Sequence, residues 1–271
     1  MPANFGTVIL LAATFFAPAS VLAAAFLFVA ATFFLLPPVR ALSRNPPPCA
    51  PVPPGPPSRC VAPLVPGPSR RRAVWTVAAV AGWARAVAWA LASPVGASPD
   101  EQAHIAYAWG TVTGQTVVGE QLVTIPGART ATNVQVPQKL LQYPPPGCYA
   151  FHPERPVRQC APVPADNLQP VAQATYVSRY PPLFYAAEGV VLQAATAVDL
   201  SGPHVLYIAR LAAAGLSLLA VGYGLFLLSR RFPDDVVVLA TLLALPATAW
   251  FLAASVNPNG LEITAAFLLA P

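Results

Sequence analysis

Apolar residues fall into long runs along the chain, and the length of each run predicts how it meets a lipid bilayer. A helix that crosses a bilayer needs about 20 mostly apolar residues. Residues 7–36, 74–95 and 204–229 are long enough, so each predicts a membrane-spanning helix. Residues 236–254 predict a further span with a kink at Pro246, because proline interrupts the hydrogen bonds of a helix.

A shorter apolar stretch, residues 182–199, contains Glu188 and Gln193. Helical spacing groups several of its apolar residues near one face, namely Leu183, Tyr185, Val190, Val191, Ala194 and Val198. If this stretch crossed the membrane, Arg230 and Arg231 would lie outside the cell, against the preference of basic residues for the cytoplasm. We therefore predict an interfacial helix.

The last apolar stretch, residues 259–271, starts another helix that ends after about three turns. This is too short to cross a bilayer. The pattern is typical of a fragment of a longer protein.

The composition also indicates a membrane protein. Of the 271 residues, 56% are hydrophobic and 9% are charged, whereas soluble domains carry about 25% charged residues. The net charge of +5 is small, and the basic residues lie beside apolar runs, where they set orientation. No nucleic-acid partner is expected. We predict an all-α, multi-pass protein of the plasma membrane whose partner is the lipid bilayer.

Residues 37–72 hold 13 prolines and six arginines and have no apolar periodicity. This composition predicts a disordered linker, and its arginines place it in the cytoplasm. The predicted domains are an N-terminal transmembrane helix at 1–36, the linker at 37–72 and a membrane domain at 73–271. A signal peptide is the less favoured reading of the first run, because no Lys or Arg precedes it and it is long for a signal core.

With this orientation, residues 96–203 form a long extracytoplasmic loop with interfacial helices. Cys148 and Cys160 lie in it, separated by eleven residues. In an oxidising compartment they predict a disulfide that stabilises the fold by about 3 kcal/mol. A zinc site that includes His152 is a poorer alternative because the Cys spacing is wrong.

Arg85 falls near the middle of the run at 74–95. A central Arg costs about 2.5–3.5 kcal/mol on insertion scales. Its side chain either snorkels or meets a partner on another helix, or it is a functional charge inside a bundle.

The segment "SPDEQAH", residues 98–104, follows the second span and has two readings. Ser98, Pro99 and Glu101 have the spacing of a capping box that starts a helix. Asp100 and His104 are four residues apart and share a helix face, with Glu101 close to it. A carboxylate there is a candidate general base, and Asp100 with His104 is a candidate site for a divalent metal cation.

Two further motifs hold candidate ligand-binding residues. In "SRYPPLFY", Arg179 precedes a helix start, which is a natural site for a phosphate. Tyr180 and Tyr185 are candidate substrate contacts or interfacial belt residues. In "NPNGLE", Asn257 caps the next helix and Glu262 is a candidate site residue at the depth of Asp100.

These three motifs resemble "SPDEQAH", "YPPLFY" and "NPNGLE" segments of the actinobacterial family of predicted membrane proteins called domain of unknown function 2142. The resemblance covers about residues 74–271. The order of span, acidic pair, outer loop and Pro-Pro-Leu segment is also similar to the first third of GT-C membrane glycosyltransferases. In this chain Arg-Tyr stands where that class has a Lys before the prolines.

The GT-C resemblance implies transfer of a sugar from a polyprenyl-phosphate donor for cell-envelope glycan synthesis. It implies a catalytic acid at Asp100 or Glu101, with His104 as metal or orientation partner, and a donor-phosphate contact at Arg179. The alternatives are a non-catalytic component, such as a transporter of lipid-linked precursors or a scaffold, and an inactive truncated product.

Overall fold

The computed structural model describes residues 68–115, 122–125, 129–141, 143–144, 146–160, 167–198 and 200–266. The chain divides into two units, Met1–Gly67 and Pro68–Pro271, and all described residues belong to the second. The predicted helix at 7–36 and most of the linker at 37–72 lie outside the described residues. So do the last five residues of the helix start predicted at 259–271.

The second unit is mostly helical. Its helices are α1 (Pro68–Ala92), α2 (Glu101–Val112), α3 (Pro146–Tyr149), α4 (Pro182–Ala197), α5 (Gly202–Leu228), α6 (Asp234–Ala244), α7 (Ala247–Ala253) and α8 (Pro258–Ala265). Its strands are β1 (Leu122–Ile125), β2 (Arg129–Pro137) and β3 (Pro170–Thr175), and short 3-10 helices cover Gln138–Leu141 and Val157–Gln159.

Two helices, α1 and α5, are long and apolar enough to cross a membrane, as the sequence predicts. The helices α6 and α7 meet at 87° and form a third candidate if the bent pair is one span. Pro246 is the N-cap of α7, so the bend falls at the predicted proline. The described residues therefore contain two or three candidate spans.

The helix α1 begins at Pro68, six residues before the predicted start of this span. Proline fits the first turn of a helix, where its missing N–H costs nothing. Residues 68–72 are therefore helical and do not belong to the predicted disordered linker. Arg71 Nε donates a 2.6 Å hydrogen bond to Asp234 Oδ2, so α1 and α6 start at the same end of the bundle.

The predicted all-α loop contains an antiparallel sheet with the strand order β1-β2-β3. Within β2, buried Val134 and Val136 flank exposed Gln135, which is the alternation of a half-buried strand. Thr132 pairs with Thr175 across β2 and β3. The prediction missed the sheet because the segment is polar overall, although Val and Thr favour strands.

We call α2, α4 and the sheet together the head of the protein, and α2 lies between the other two parts. It packs against α4 and against β2 and β3, and eight of its residues are buried. Thr175 Oγ1 donates to the carbonyl oxygen of Ala103 at 2.8 Å. Gly189 of α4 lies against the Ala108 carbonyl of α2, so these two helices are in very close contact.

The helix predicted at 182–199 is confirmed, but Tyr185 is buried and does not share the exposed face of Leu183, Val190, Ala194 and Val198. The buried side of α4 is formed by Phe184, Tyr185, Glu188, Gly189, Leu192 and Ala195. Leu183 and Val190, predicted on one face with Tyr185, are exposed. The buried face is selected by a close approach that requires Gly189, and periodicity of apolar residues does not show such a contact.

The predicted disulfide is present, and Arg85 meets one of the alternatives left open for it. Cys148 and Cys160 form the predicted disulfide, with Cα atoms 5.8 Å apart. The Arg85 guanidinium of α1 lies 5.5 Å from the centre of the Trp250 ring of α7. This is the cation–π geometry, so Arg85 has a partner on another helix.

Candidate functional site

The three motifs of the sequence meet around the start of α2. Asn257 Nδ2 donates to the carbonyl oxygen of Pro99 at 3.0 Å. The hydroxyl of Tyr107 donates to the carbonyl oxygen of Tyr180 at 2.9 Å. We call this region, from Pro99 to Tyr107 with the segments that contact it, the α2 site.

Asp100 is the N-cap of α2 and has a left-handed backbone, with φ of 60°. Few residues other than glycine adopt this conformation, and Asp tolerates it better than most. Its carboxylate is exposed and does not cap the helix. Residues in such sparsely populated backbone regions cluster at functional sites, so Asp100 is a candidate site residue.

The predicted capping box is wrong. The helix begins at Glu101, so Ser98 is not its N-cap, and no described side chain caps it. Ser98 Oγ donates to Ser255 Oγ at 3.0 Å. The side chains of Ser98 and Glu101 bind the segment before α8 because that segment packs over the start of α2, a tertiary contact that outweighs local capping.

Glu101 is buried and forms an ion pair with Arg210 of α5, in which Nη2 lies 2.7 Å from Oε2. Arg210 Nε donates to the other oxygen at 2.8 Å. The same carboxylate accepts from the backbone N–H groups of Gly96 at 2.8 Å and Val256 at 3.2 Å. Four donors therefore surround its two oxygens.

Arg210 also binds the end of α1. Its remaining N–H groups donate to the carbonyl oxygens of Ala90, Ser93 and Pro94 at 2.6–3.0 Å. A guanidinium has five N–H donors, and all five are used. The sequence reading overlooked Arg210, although a charged residue inside an apolar span is itself a signal of an internal partner.

His104 is buried and lies in a cluster with buried Tyr107 and Tyr185 and with half-exposed Tyr180. Its Nδ1 is 2.9 Å from the hydroxyl of Tyr185, and its ring centre is 6.4 Å from that of Tyr180. The rings of Tyr107 and Tyr185 are 4.3 Å apart. Burial lowers the pKa of His104 to about 4, although the negative charges of Asp100 and Glu101 oppose this. The imidazole is therefore neutral at pH 7.

The other predicted residues lie in the segments that contact the α2 site. Arg179 is exposed and directly precedes Tyr180 in the chain. Glu262 is exposed on α8. Burial is the main cause that raises the pKa of Tyr185, and the charge of Glu262 adds to it. Asn257 is buried and accepts from the N–H of Asn259 at 2.9 Å, so it caps α8 as predicted.

The described residues contain no group of three His, Cys, Asp or Glu side chains placed to hold a metal ion. Asp100 and His104 supply two candidate ligands, and the Nδ1 atom of His104 is already bonded to Tyr185. They do not by themselves fit the ligand set of a protein metal site, and their metal role stays a prediction.

The fold and the α2 site define a multi-spanning, mostly helical membrane protein with a helix-and-sheet head. Residues 83–270 match a family described as Predicted membrane protein (DUF2142). The match covers more than half of the chain, and the chain belongs to this family, as its motifs predict. No curated protein and no solved structure matches the chain.

Proposed function

We propose that the protein is a membrane glycosyltransferase that takes a sugar from a polyprenyl-phosphate donor for cell-envelope glycan synthesis. One observation carries the proposal. The exposed carboxylate of Asp100, the neutral imidazole of His104 and the Arg179–Tyr180 segment belong to one cluster at the start of α2. The transfer needs a carboxylate as base, neutral polar side chains around the sugar and a cation for the phosphate. Asp100, His104 and Arg179 are the candidates for these roles.

Asp100 is the general base in this proposal, and Glu101 is not. All the hydrogen bonds of the Glu101 carboxylate go to Arg210 and to backbone groups, so it has no free lone pair toward a substrate. Asp100 accepts the proton of an acceptor hydroxyl while that oxygen forms a bond to the anomeric carbon. The bond from this carbon to the phosphate oxygen breaks.

Arg179 binds the phosphate in this proposal. The polyprenyl phosphate leaves with a negative charge, which an exposed guanidinium stabilises. Tyr180, about half exposed, offers a ring and a hydroxyl to the sugar. His104 and Tyr185 position the start of α2 through their mutual hydrogen bond. No step is assigned to a metal ion.

The site has to face the extracytoplasmic side, with residues 37–72 in the cytoplasm. The Cys148–Cys160 disulfide supports this side because disulfides persist in oxidising compartments. A C49S/C60S background with a single Cys at exposed Phe151 or at exposed Phe232 tests it. Intact cells should react with an impermeant maleimide only through residue 151. Labelling at 232 instead would reject the orientation.

The function is tested with the full-length protein in membrane vesicles and a panel of polyprenyl-phosphate pentoses and hexoses. Asp100→Asn removes the proposed base and should abolish transfer. Since Asn also tolerates positive φ, the unfolding temperature should not change. Glu154→Gln, an exposed carboxylate in the disulfide loop, is the matched control and should keep activity. Transfer at the wild-type rate by Asp100→Asn would reject the assignment.

The alternative is a non-catalytic membrane component, such as a transporter of lipid-linked precursors or a scaffold. The structural role of Glu101 favours it, because one of the two acids in the motif serves the fold. In that case Ser98→Ala, which removes the hydrogen bond to Ser255, should reduce the yield of folded protein. This reduction should be larger than any loss of activity in Asp100→Asn.

A further inference from the structure

The helix α4 has an inverted distribution of polar and apolar side chains. Its single acidic residue, Glu188, is completely buried, and the helix has no basic residue. Every exposed position of Pro182–Ala197, all of which the structure describes, is apolar, and these positions are Pro182, Leu183, Ala187, Val190, Ala194 and Ala197. A helix in contact with water has the opposite pattern, with polar residues outside.

The exposed side chains form one stripe. Leu183 is 83% exposed and Val190 is 59% exposed, and Val198, directly after the helix, is 66% exposed. Spacings of seven and eight residues return to the same helix face. A continuous aliphatic stripe on the outside of a membrane protein fits acyl chains.

The length of α4 decides how it meets those chains. Its 16 residues extend about 24 Å, which is shorter than the bilayer core of about 30 Å. Exposed Arg179 and Tyr180 precede its first turn, and such residues favour the membrane–water interface.

The other end of α4 also has a charged group beside it. The ammonium group of Lys139, which follows β2, donates to the carbonyl oxygen of Leu200 at 3.0 Å. Immediately afterwards, at Gly202, the candidate span α5 begins. Both ends of α4 therefore have polar neighbours, and a candidate span follows it directly.

We propose that α4 lies in the plane of the membrane surface, with its aliphatic stripe in contact with the acyl chains of one leaflet. Its opposite face covers the α2 site through Tyr185, so the imidazole–tyrosine cluster lies at the level of the lipid headgroups. This inference depends on the membrane location of the protein and not on the proposed transfer reaction.

Nitroxide labels test the proposal on the full chain reconstituted in phosphatidylethanolamine and phosphatidylglycerol vesicles. Single cysteines replace Leu183, Val190 and Val198 in the C49S/C60S background, and Phe151→Cys is the water-exposed control. Collision with oxygen reports acyl chains, and collision with a water-soluble nickel chelate reports water. The three α4 labels should collide mainly with oxygen and lie at a common depth, whereas the label at 151 should collide with nickel.

Three outcomes would overturn the proposal. Nickel collision at the α4 labels as frequent as at residue 151 would place the stripe in water. Loss of collision with both reagents would mean that protein covers it. Since residues 183 and 198 are about 22 Å apart along a helix, a depth difference of that order would mean that α4 is inserted along the bilayer normal.

Discussion

Arg210 and Glu101 form a buried ion pair that joins four segments of the chain. The guanidinium binds the carbonyl oxygens at the end of α1, and the carboxylate accepts from the backbone before α2 and before α8. Arg210 itself belongs to α5. The side chain of Arg210 is 1% exposed and that of Glu101 is 0% exposed. Water therefore cannot replace either partner of the pair.

The first prediction concerns this ion pair. Removing one partner of a buried, fully bonded pair leaves the other charge unpaired, which costs about 3–5 kcal/mol. Arg210→Met and Glu101→Gln should each lower the unfolding temperature strongly, as measured by tryptophan fluorescence in detergent. Their double variant should lose much less than the sum of the two changes.

Arg71→Gln is the matched control for Arg210→Met. It breaks the pair with Asp234 at the other end of the bundle, where Arg71 is half exposed. Exposed pairs contribute at most about 1 kcal/mol, so this variant should unfold near the wild-type temperature. Equal losses in Arg71→Gln and Arg210→Met would contradict the special role of Arg210.

Apolar run length was sufficient to predict α1 and α5, and Pro246 was sufficient to predict the bend. These features depend on local composition, and the bilayer imposes the length. The disulfide also followed from Cys148, Cys160 and the expected compartment. The resemblance implied that the three motifs share one site, but the contacts that join them at α2, such as Asn257 to Pro99, could not be predicted.

The role of Glu101 could not be predicted from the sequence. Its position three residues after Ser98 fitted a capping box, and the same two residues serve long-range contacts instead. The partner, Arg210, is 109 positions away in the chain. A single sequence shows that such a charge needs a partner and does not show which one it has.

The second prediction concerns the contact of α2 and α4 at Gly189. A methyl group at this position would clash with the carbonyl oxygen of Ala108 and approach Val112 Cγ1 to 2.7 Å. Gly189→Ala should therefore destabilise the protein by about 1–3 kcal/mol through overpacking. The measurement is chemical unfolding in detergent, followed by tryptophan fluorescence.

Gly215→Ala is the control for Gly189→Ala. Gly215 is also inside a helix, but the nearest atom to an added methyl group is Trp83 Cη2 at 3.9 Å. This is an ordinary contact, and alanine favours a helix by up to about 1 kcal/mol over glycine. The variant should be as stable as the wild type or more stable. A loss equal to that of Gly189→Ala would mean that the effect is not due to the close approach.

The third prediction concerns Glu188. Its carboxyl oxygens are buried and have no hydrogen-bond partner among the described residues. Burial raises its pKa well above the ordinary value, so the folded state keeps a proton that the unfolded state has lost. Stability should therefore fall as pH rises above about 4.5, because the folded state binds more protons.

Glu188→Gln should remove this loss of stability with pH, and Glu188→Leu should raise the unfolding temperature most at pH 7 to 8. The measurement is the unfolding temperature of both variants and of the wild type, from about pH 4.5 to pH 8. Exposed Glu154→Gln serves as the control for losing a carboxylate and should change the temperature little. A wild-type pH dependence in Glu188→Gln would show that another group causes it.

The fourth prediction concerns His104, whose contribution has the opposite sign. Burial lowers its pKa to about 4 in the folded state, whereas an unfolded His titrates near 6.5. Between these values the unfolded state binds the extra proton, so stability should fall as pH decreases from about 6.5 to about 4. At about 1.4 kcal/mol per pKa unit, the full effect is about 3 kcal/mol.

His104→Gln retains a group that can bond to the Tyr185 hydroxyl and does not titrate. Its unfolding free energy should change less than that of the wild type between pH 6.5 and pH 4. Tyr185→Phe removes the 2.9 Å hydrogen bond but keeps the imidazole, so it should lower stability and retain a decrease toward low pH. If His104→Gln and the wild type lose equal stability over this range, the imidazole is not held neutral in the folded protein.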